Sequence, residues 1–172
     1  MMVNEEMISS EIRLQKTVEN GYYMYSDNSI RYLVLHCSAT RIDSDYPPAQ
    51  MLRDHKARGF RTIGYHFYVR KDGSLSQHRK LLEVGAHCRP YNRCSIGICY
   101  EGGLDALGEP ADTRTPEQRT VLRLLVQQLK RKFPAARVCG HRDLSPDTNG
   151  NGVVEPHEWL KQCPCFDVRT EL

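Results

Sequence analysis

Three consecutive aliphatic residues, Leu33, Val34 and Leu35, lie inside the segment Ile30–His36 (IRYLVLH). A strand sends successive side chains to opposite faces, so an unbroken apolar run of strand formers needs cover on both faces. This points to an α/β arrangement, in which helices pack on a sheet. The run ends on His36-Cys37-Ser38-Ala39-Thr40. Alternation sends His36 and Cys37 to opposite faces, so only one of them can address a given site. Strand ends in α/β sheets are where sites are built, and this gives His36 more weight than an isolated histidine carries.

The remaining elements can be read around that strand. Thr115–Phe133 is the strongest helix: Thr115 and Gln118 form a capping box, and Pro116 takes the first helical position. Leu122, Val126, Leu129 and Phe133, joined by Val121 and Leu125, make its buried stripe. Residues 49–58 (AQMLRDHKAR) read as a second helix stopped by Gly59, with Met51 and Leu52 inward and His55 as a packing or surface residue. Residues 64–70 and 75–78 form a hairpin about Asp72-Gly73. In it Tyr65, Phe67 and Val69 are expected on one face and His66, Tyr68 and Arg70 on the other. That pattern leaves Tyr65 equally a core aromatic or a functional phenol. Ser95–Glu101 alternates as a strand, and its serine and glycine suggest that something approaches the backbone closely. Ala136–Cys139 is a short last strand delivering His141. The expectation is one α/β domain, a central mixed sheet flanked by helices. Residues 1–29 read as an N-terminal extension outside the core, with a short helix over Glu5–Val18 broken at Asn20-Gly21.

Composition narrows the function classes. At 172 residues the chain can bury a core as one domain. Its net charge of +3 comes without the Lys/Arg block that marks nucleic-acid binders. Its apolar runs fall far short of the ~20 residues a membrane span needs. No nucleic-acid or membrane partner is expected. The polar, acidic start MMVNEEMISSEIRLQK is not a signal peptide, so the chain as encoded is expected in the cytoplasm. Seven cysteines are an odd number, and in a reducing compartment most should be free thiols. Cys88 and Cys94 are close enough in sequence to close a short loop in an oxidising space.

Chemistry concentrates between Gly140 and Val168 (GHRDLSPDTNGNGVVEPHEWLKQCPCFDV). His141 and Cys163 are zinc ligand types and need one more partner to hold a metal. Arg142 and Asp143 are placed to orient His141. Between them, Asp147, Asn149, Asn151, the Val153 carbonyl and Glu158 match the spacing of a calcium loop, with Gly152 at its sixth position. No incoming helix precedes the loop, and Pro156 is unusual inside one. The other reading is an Asx-turn loop held by its own hydrogen bonds. A cation there would be structural, fixing the angle between His141 and Cys163.

Taken in order, LVLHCSAT, IGYHFYV, GAHCRPYNRCSIGICYEGG, GHRDLSPD and KQCPCFDV resemble the zinc-dependent N-acetylmuramoyl-L-alanine amidases of type 2. That superfamily includes the amidase-type phage lysozymes and the peptidoglycan recognition proteins. The resemblance covers roughly residues 30–168, so 30–172 would be the amidase domain. It implies zinc held by His36, His141 and Cys163, with Cys165 the alternative thiol. Three N, N and S ligands leave a fourth position for water, whose pKa zinc lowers from ~16 towards ~7. The resemblance further implies that Tyr65 hydrogen-bonds the reacting centre and that Lys161 assists catalysis, at the developing oxyanion, although a solvated lysine is its bland reading. His87 would line the substrate groove. The implied partner is peptidoglycan and the implied target the amide between N-acetylmuramic acid and L-alanine, cut by a monomer after release or export. Two other readings remain: a non-catalytic peptidoglycan-binding module of the same superfamily, and a closed structural zinc site that recruits Cys165.

Overall fold

The computed structural model describes residues 22–172, so the helix expected over Glu5–Val18 lies outside the described residues. The aliphatic run becomes β1 (Tyr32–Cys37), buried at every position after Tyr32. It is hydrogen-bonded in parallel to β5 (Ser95–Tyr100) on one side and to β7 (Arg137–Gly140) on the other. Beyond β5 come β3 (Phe67–Val69), parallel to it, and β4 (Leu75–Gln77), antiparallel to β3. The order β4-β3-β5-β1-β7 is the expected mixed sheet. A separate parallel pair, β2 (Thr40–Arg41) with β6 (Gly103–Leu104), extends the ends of β1 and β5.

Each face of the sheet has its own cover. The helix α2 (Pro116–Lys132) packs Val121, Leu122, Leu125 and Leu129 against Leu33, Leu35, Ile96, Ile98, Phe67 and Val69. Replacing a fully buried member such as Leu125 with alanine would cost about 2–5 kcal/mol. Its capping box forms as expected, the Gln118 N–H donating to Thr115 Oγ1 and the Thr115 N–H to Gln118 Oε1. On the opposite face α1 (Pro48–Ala57) lays Met51 against Ile63, Tyr68 and Cys99. The short α3 (Val168–Glu171) packs Val168 into the α2-side core.

Two expectations need revision. Met24 is buried in the main core, so the part of the expected extension from residue 22 onward packs on the domain rather than standing outside it. Met24 donates its N–H to the Leu82 carbonyl, and Val84 donates to the Tyr22 carbonyl. The second revision concerns Tyr65. The ladder of β3 starts only at Phe67, so alternation does not reach back to residue 65. Tyr65 therefore packs with the Tyr68 cluster, on the face opposite Phe67 and Val69.

Candidate metal centre

Three segments far apart in sequence converge at the C-terminal ends of β1 and β7. His36 is the penultimate residue of β1. His141 opens the 3-10 turn that follows β7. Cys163 lies in the loop before α3, and several contacts pin that loop to the sheet. The Arg142 N–H donates to the Cys163 carbonyl (2.9 Å) and the Tyr100 hydroxyl to the Pro164 carbonyl (2.7 Å). Phe166 is buried against Tyr100, with the Arg114 guanidinium stacked 3.3 Å from its ring centre. The Cys37 N–H donates to Cys163 Sγ at 3.3 Å, which fixes the position of the sulfur.

The ligand atoms of His36, His141 and Cys163 all lie within 4.8 Å of one another. His36 Nδ1 is 3.8 Å from Cys163 Sγ. Zinc bonds of ordinary length at a tetrahedral angle would place those two atoms roughly 3.6 Å apart. His36 is almost fully buried, and that burial, followed by His87, His141 and Lys161 nearby, holds its pKa well below the usual imidazole value. A neutral imidazole keeps its lone pair for a metal. The donor set and its spacing therefore fit zinc.

Cys165 stands apart from this cluster. Its thiol faces Cys37 Sγ at 3.9 Å and donates to the Gly103 carbonyl at 3.4 Å. Alternation explains the separation: His36 turns to one face of β1 and Cys37, with Cys165 beside it, to the other. The thiol that joins the two histidines is thus that of Cys163, and Cys165 is not part of the cluster. Cys88 and Cys94, like the other five cysteines, are free thiols.

The Tyr65 ring lies 5.1 Å from that of His36 and 5.6 Å from that of His55. Burial, and then the neighbouring Cys99, raise its pKa well above the ordinary phenol value, so it remains a hydrogen-bond donor at neutral pH. His55 is a packing residue, its Nδ1 accepting the Gly64 N–H. A groove of about 860 Å³ opens beside the centre, with His87, His141 and Lys161 on its wall. Among the described residues its charged lining is cationic, Arg61, Arg79, Arg89, Arg93 and Lys161, with Glu83 pairing to Arg61 and Arg79 behind it. Arg142 and Asp143 act on neighbours other than the His141 ring. Arg142 stacks on Trp159 at 3.9 Å, and Asp143 accepts the Gly140 N–H.

The Asp147–Glu158 segment takes the form of the Asx-turn loop. Asp147 accepts the Gly150 and Gly152 N–H groups, Asn149 that of Asn151, and Asn151 that of Val153. Glu158 is buried and accepts from the Thr148, Asn149 and Glu155 N–H groups. Glu155, His157 and Glu158 also bring ligand atoms together, but Glu155 already accepts from the Asn149 and Asn151 amides. Its Oε2 is engaged by the protein itself, and nothing in these contacts calls for calcium.

An α/β sheet carrying a His, His, Cys centre at its strand ends, open to a cationic groove, defines a metallohydrolase. The family model described as N-acetylmuramoyl-L-alanine amidase matches residues 26–159, and the chain belongs to that family. That match stops just before Lys161 and Cys163, which the structure itself places. The chain is 34% identical to the endolysin of Enterobacteria phage K11, over 78% of this chain and 80% of that protein. It is 50% identical to an uncharacterized protein of Haemophilus influenzae, over 56% of this chain and 84% of that one. Among solved structures it is similar to the endolysin amidase LysCS of Clostridium intestinale, with a TM-score of 0.62 and 29% identity over 87% of this chain and 86% of that one. Family and metal triad together make catalytic amidase activity the best-supported reading.

Proposed function

We propose that the chain hydrolyses the amide joining the lactyl group of N-acetylmuramic acid to L-alanine in peptidoglycan, with the metal held by His36, His141 and Cys163. The observation that carries this reading is the convergence of those ligand atoms within 4.8 Å beside a groove whose wall includes His141. Zinc bound there supplies Lewis acidity for the attack of water on the amide carbonyl.

The chain's own residues supply the rest. Arg61 and Arg79 pair with Glu83, so Arg89 and Lys161 are the groove cations that suit the carboxylates of an acidic stem peptide and orient it across the centre. Tyr65 keeps its proton at neutral pH and donates a hydrogen bond to the reacting centre. The Lys161 ammonium, exposed on the groove wall, stabilises the carbonyl oxygen as it gains charge. When the C–N bond breaks, the L-alanine nitrogen takes a proton and the lactyl carbon keeps the hydroxyl. All ligands and the groove come from one chain, so a monomer suffices. The similarity to endolysins supports a lytic role on the wall, after the protein leaves the cytoplasm.

The test is mass spectrometry of what the zinc-loaded protein releases from purified peptidoglycan. Free peptides beginning at L-alanine, together with peptide-free glycan, are the expected products. Intact sacculi that retain the protein would instead identify a binding module.

A further inference from the structure

His87 lines the groove, yet its ring is engaged on the metal side. Its Nδ1 lies 2.9 Å from His36 Nε2, and its Nε2 lies 3.3 Å from Ser95 Oγ. Ser95 Oγ in turn lies 2.7 Å from the Tyr91 carbonyl. These contacts form a chain whose direction is set at the far end. A carbonyl can only accept, so the single Ser95 hydroxyl proton goes to Tyr91. Ser95 then has only a lone pair to offer His87, whose Nε2 must carry the proton. A neutral imidazole protonated at Nε2 has a bare Nδ1, which accepts. His36 must therefore donate from Nε2, and its own lone pair is left on Nδ1. That is the nitrogen facing Cys163 Sγ at 3.8 Å.

The reverse direction would protonate His36 on Nδ1 and close the ligand position. A ligating histidine is ordinarily fixed by such a partner on its second nitrogen. Here that partner is another histidine, fixed in its turn.

The ring is also held by shape. A Cβ at Gly85 would stand 2.5 Å from His87 Cδ2, and one at Gly97 would stand 2.6 Å from His87 Cγ. Only glycine at both positions leaves the slot the imidazole fills. The His87 N–H donates to Asn92 Oδ1 at 2.9 Å, which anchors the backbone of the same residue. The serine and glycine in β5 are thus accounted for: Ser95 orients the ring and Gly97 admits it.

We propose that His87 is a positioning residue of the metal centre. Through the Ser95–Tyr91 relay it holds His36 in the Nε2-protonated tautomer and so presents Nδ1 to zinc. This rests on the reading of the chain as a zinc amidase, but its test needs no substrate.

The first measurement is long-range ¹H–¹⁵N correlation of the histidine rings in the zinc-loaded wild-type protein. His36 and His87 should both be neutral and protonated on Nε2. A proton on His87 Nδ1 would overturn the proposal without any variant having to fold. The second is zinc affinity by competition with a chromophoric chelator. His87→Ala should bind zinc about 10–100-fold more weakly. His87→Asn, whose Oδ1 can take the place of the accepting nitrogen, should recover most of that loss, and Ser95→Ala should show a smaller one. Zinc affinity unchanged in a folded His87→Ala protein would sink the assignment. A wild-type protein that binds zinc tightly, shows these tautomers and leaves peptidoglycan intact would count against the amidase reading alone.

Discussion

Two stretches of this chain carry metal-ligand residue types, and they resolve in opposite ways. His36, His141 and Cys163 come from the end of β1, the turn after β7 and the loop before α3. Their ligand atoms converge on one point, and the hydrogen bonds around them leave His36 Nδ1 and Cys163 Sγ directed at each other. The Asp147–Glu158 loop is local, and its side-chain oxygens are occupied by backbone N–H groups of the same loop. Spacing alone suits both a cation loop and an Asx-turn loop, because both need oxygens at alternate positions and glycines between. What separates a metal centre from a self-contained loop is whether the backbone already uses the ligand atoms.

The largest expected effect breaks the first site. Cys163→Ser should abolish turnover and lower zinc affinity steeply, with little change in the melting of the metal-free protein. In the wild type, zinc at 1,000 times its Kd should add about 4.1 kcal/mol of stability, and chelation should remove it. Melting of the zinc-loaded and chelated proteins, wild type against variant, reads this directly. Full activity in Cys163→Ser would remove the ligand assignment. Next comes Tyr65→Phe, which deletes a donor without touching the ligands. It should lower kcat by about 10²-fold at unchanged zinc affinity. Lys161→Met should cost less, about 10-fold, because an exposed ammonium acts through solvent. Weakened zinc binding in Tyr65→Phe would make the phenol part of the metal's support rather than of the reaction.

Much of this was legible in the residues, and the exceptions share a cause. Leu33-Val34-Leu35 announced a strand covered on both faces, and the capping box at Thr115 announced where α2 begins, because both signals are local. Strict alternation misplaces Tyr65 because the β3 ladder starts only at Phe67. Met24 gave no sign of its place in the core, since its partner at Leu82 comes from a distant segment. For the site, His36 and Cys163 were legible as ligand types at strand and loop ends. The choice of Cys163 over Cys165 became physical only once β1 sent Cys37 and Cys165 to the far face. The relay from His87 through Ser95 to Tyr91 had only one trace in the sequence, a serine and a glycine inside a strand.

The smallest expected effect sharpens the other side of the comparison. Three backbone N–H groups and the Thr148 hydroxyl donate to Glu158, and they hold its pKa down at about 2. A carboxylate whose folded pKa lies below its ordinary value of 4.5 stabilises the folded state above that ordinary value. The contribution falls away as the pH drops through about 2. Glu158→Gln keeps the shape but offers one acceptor where two oxygens are in use. Its Tm should fall below that of the wild type at pH 7, and the gap should close as the pH approaches 2. Because the donors all belong to the loop, the pH 7 gap should be the same in calcium and in chelator. A gap that opens only with calcium present would reassign the loop as a cation site and place its stability in the ion rather than in its own amides.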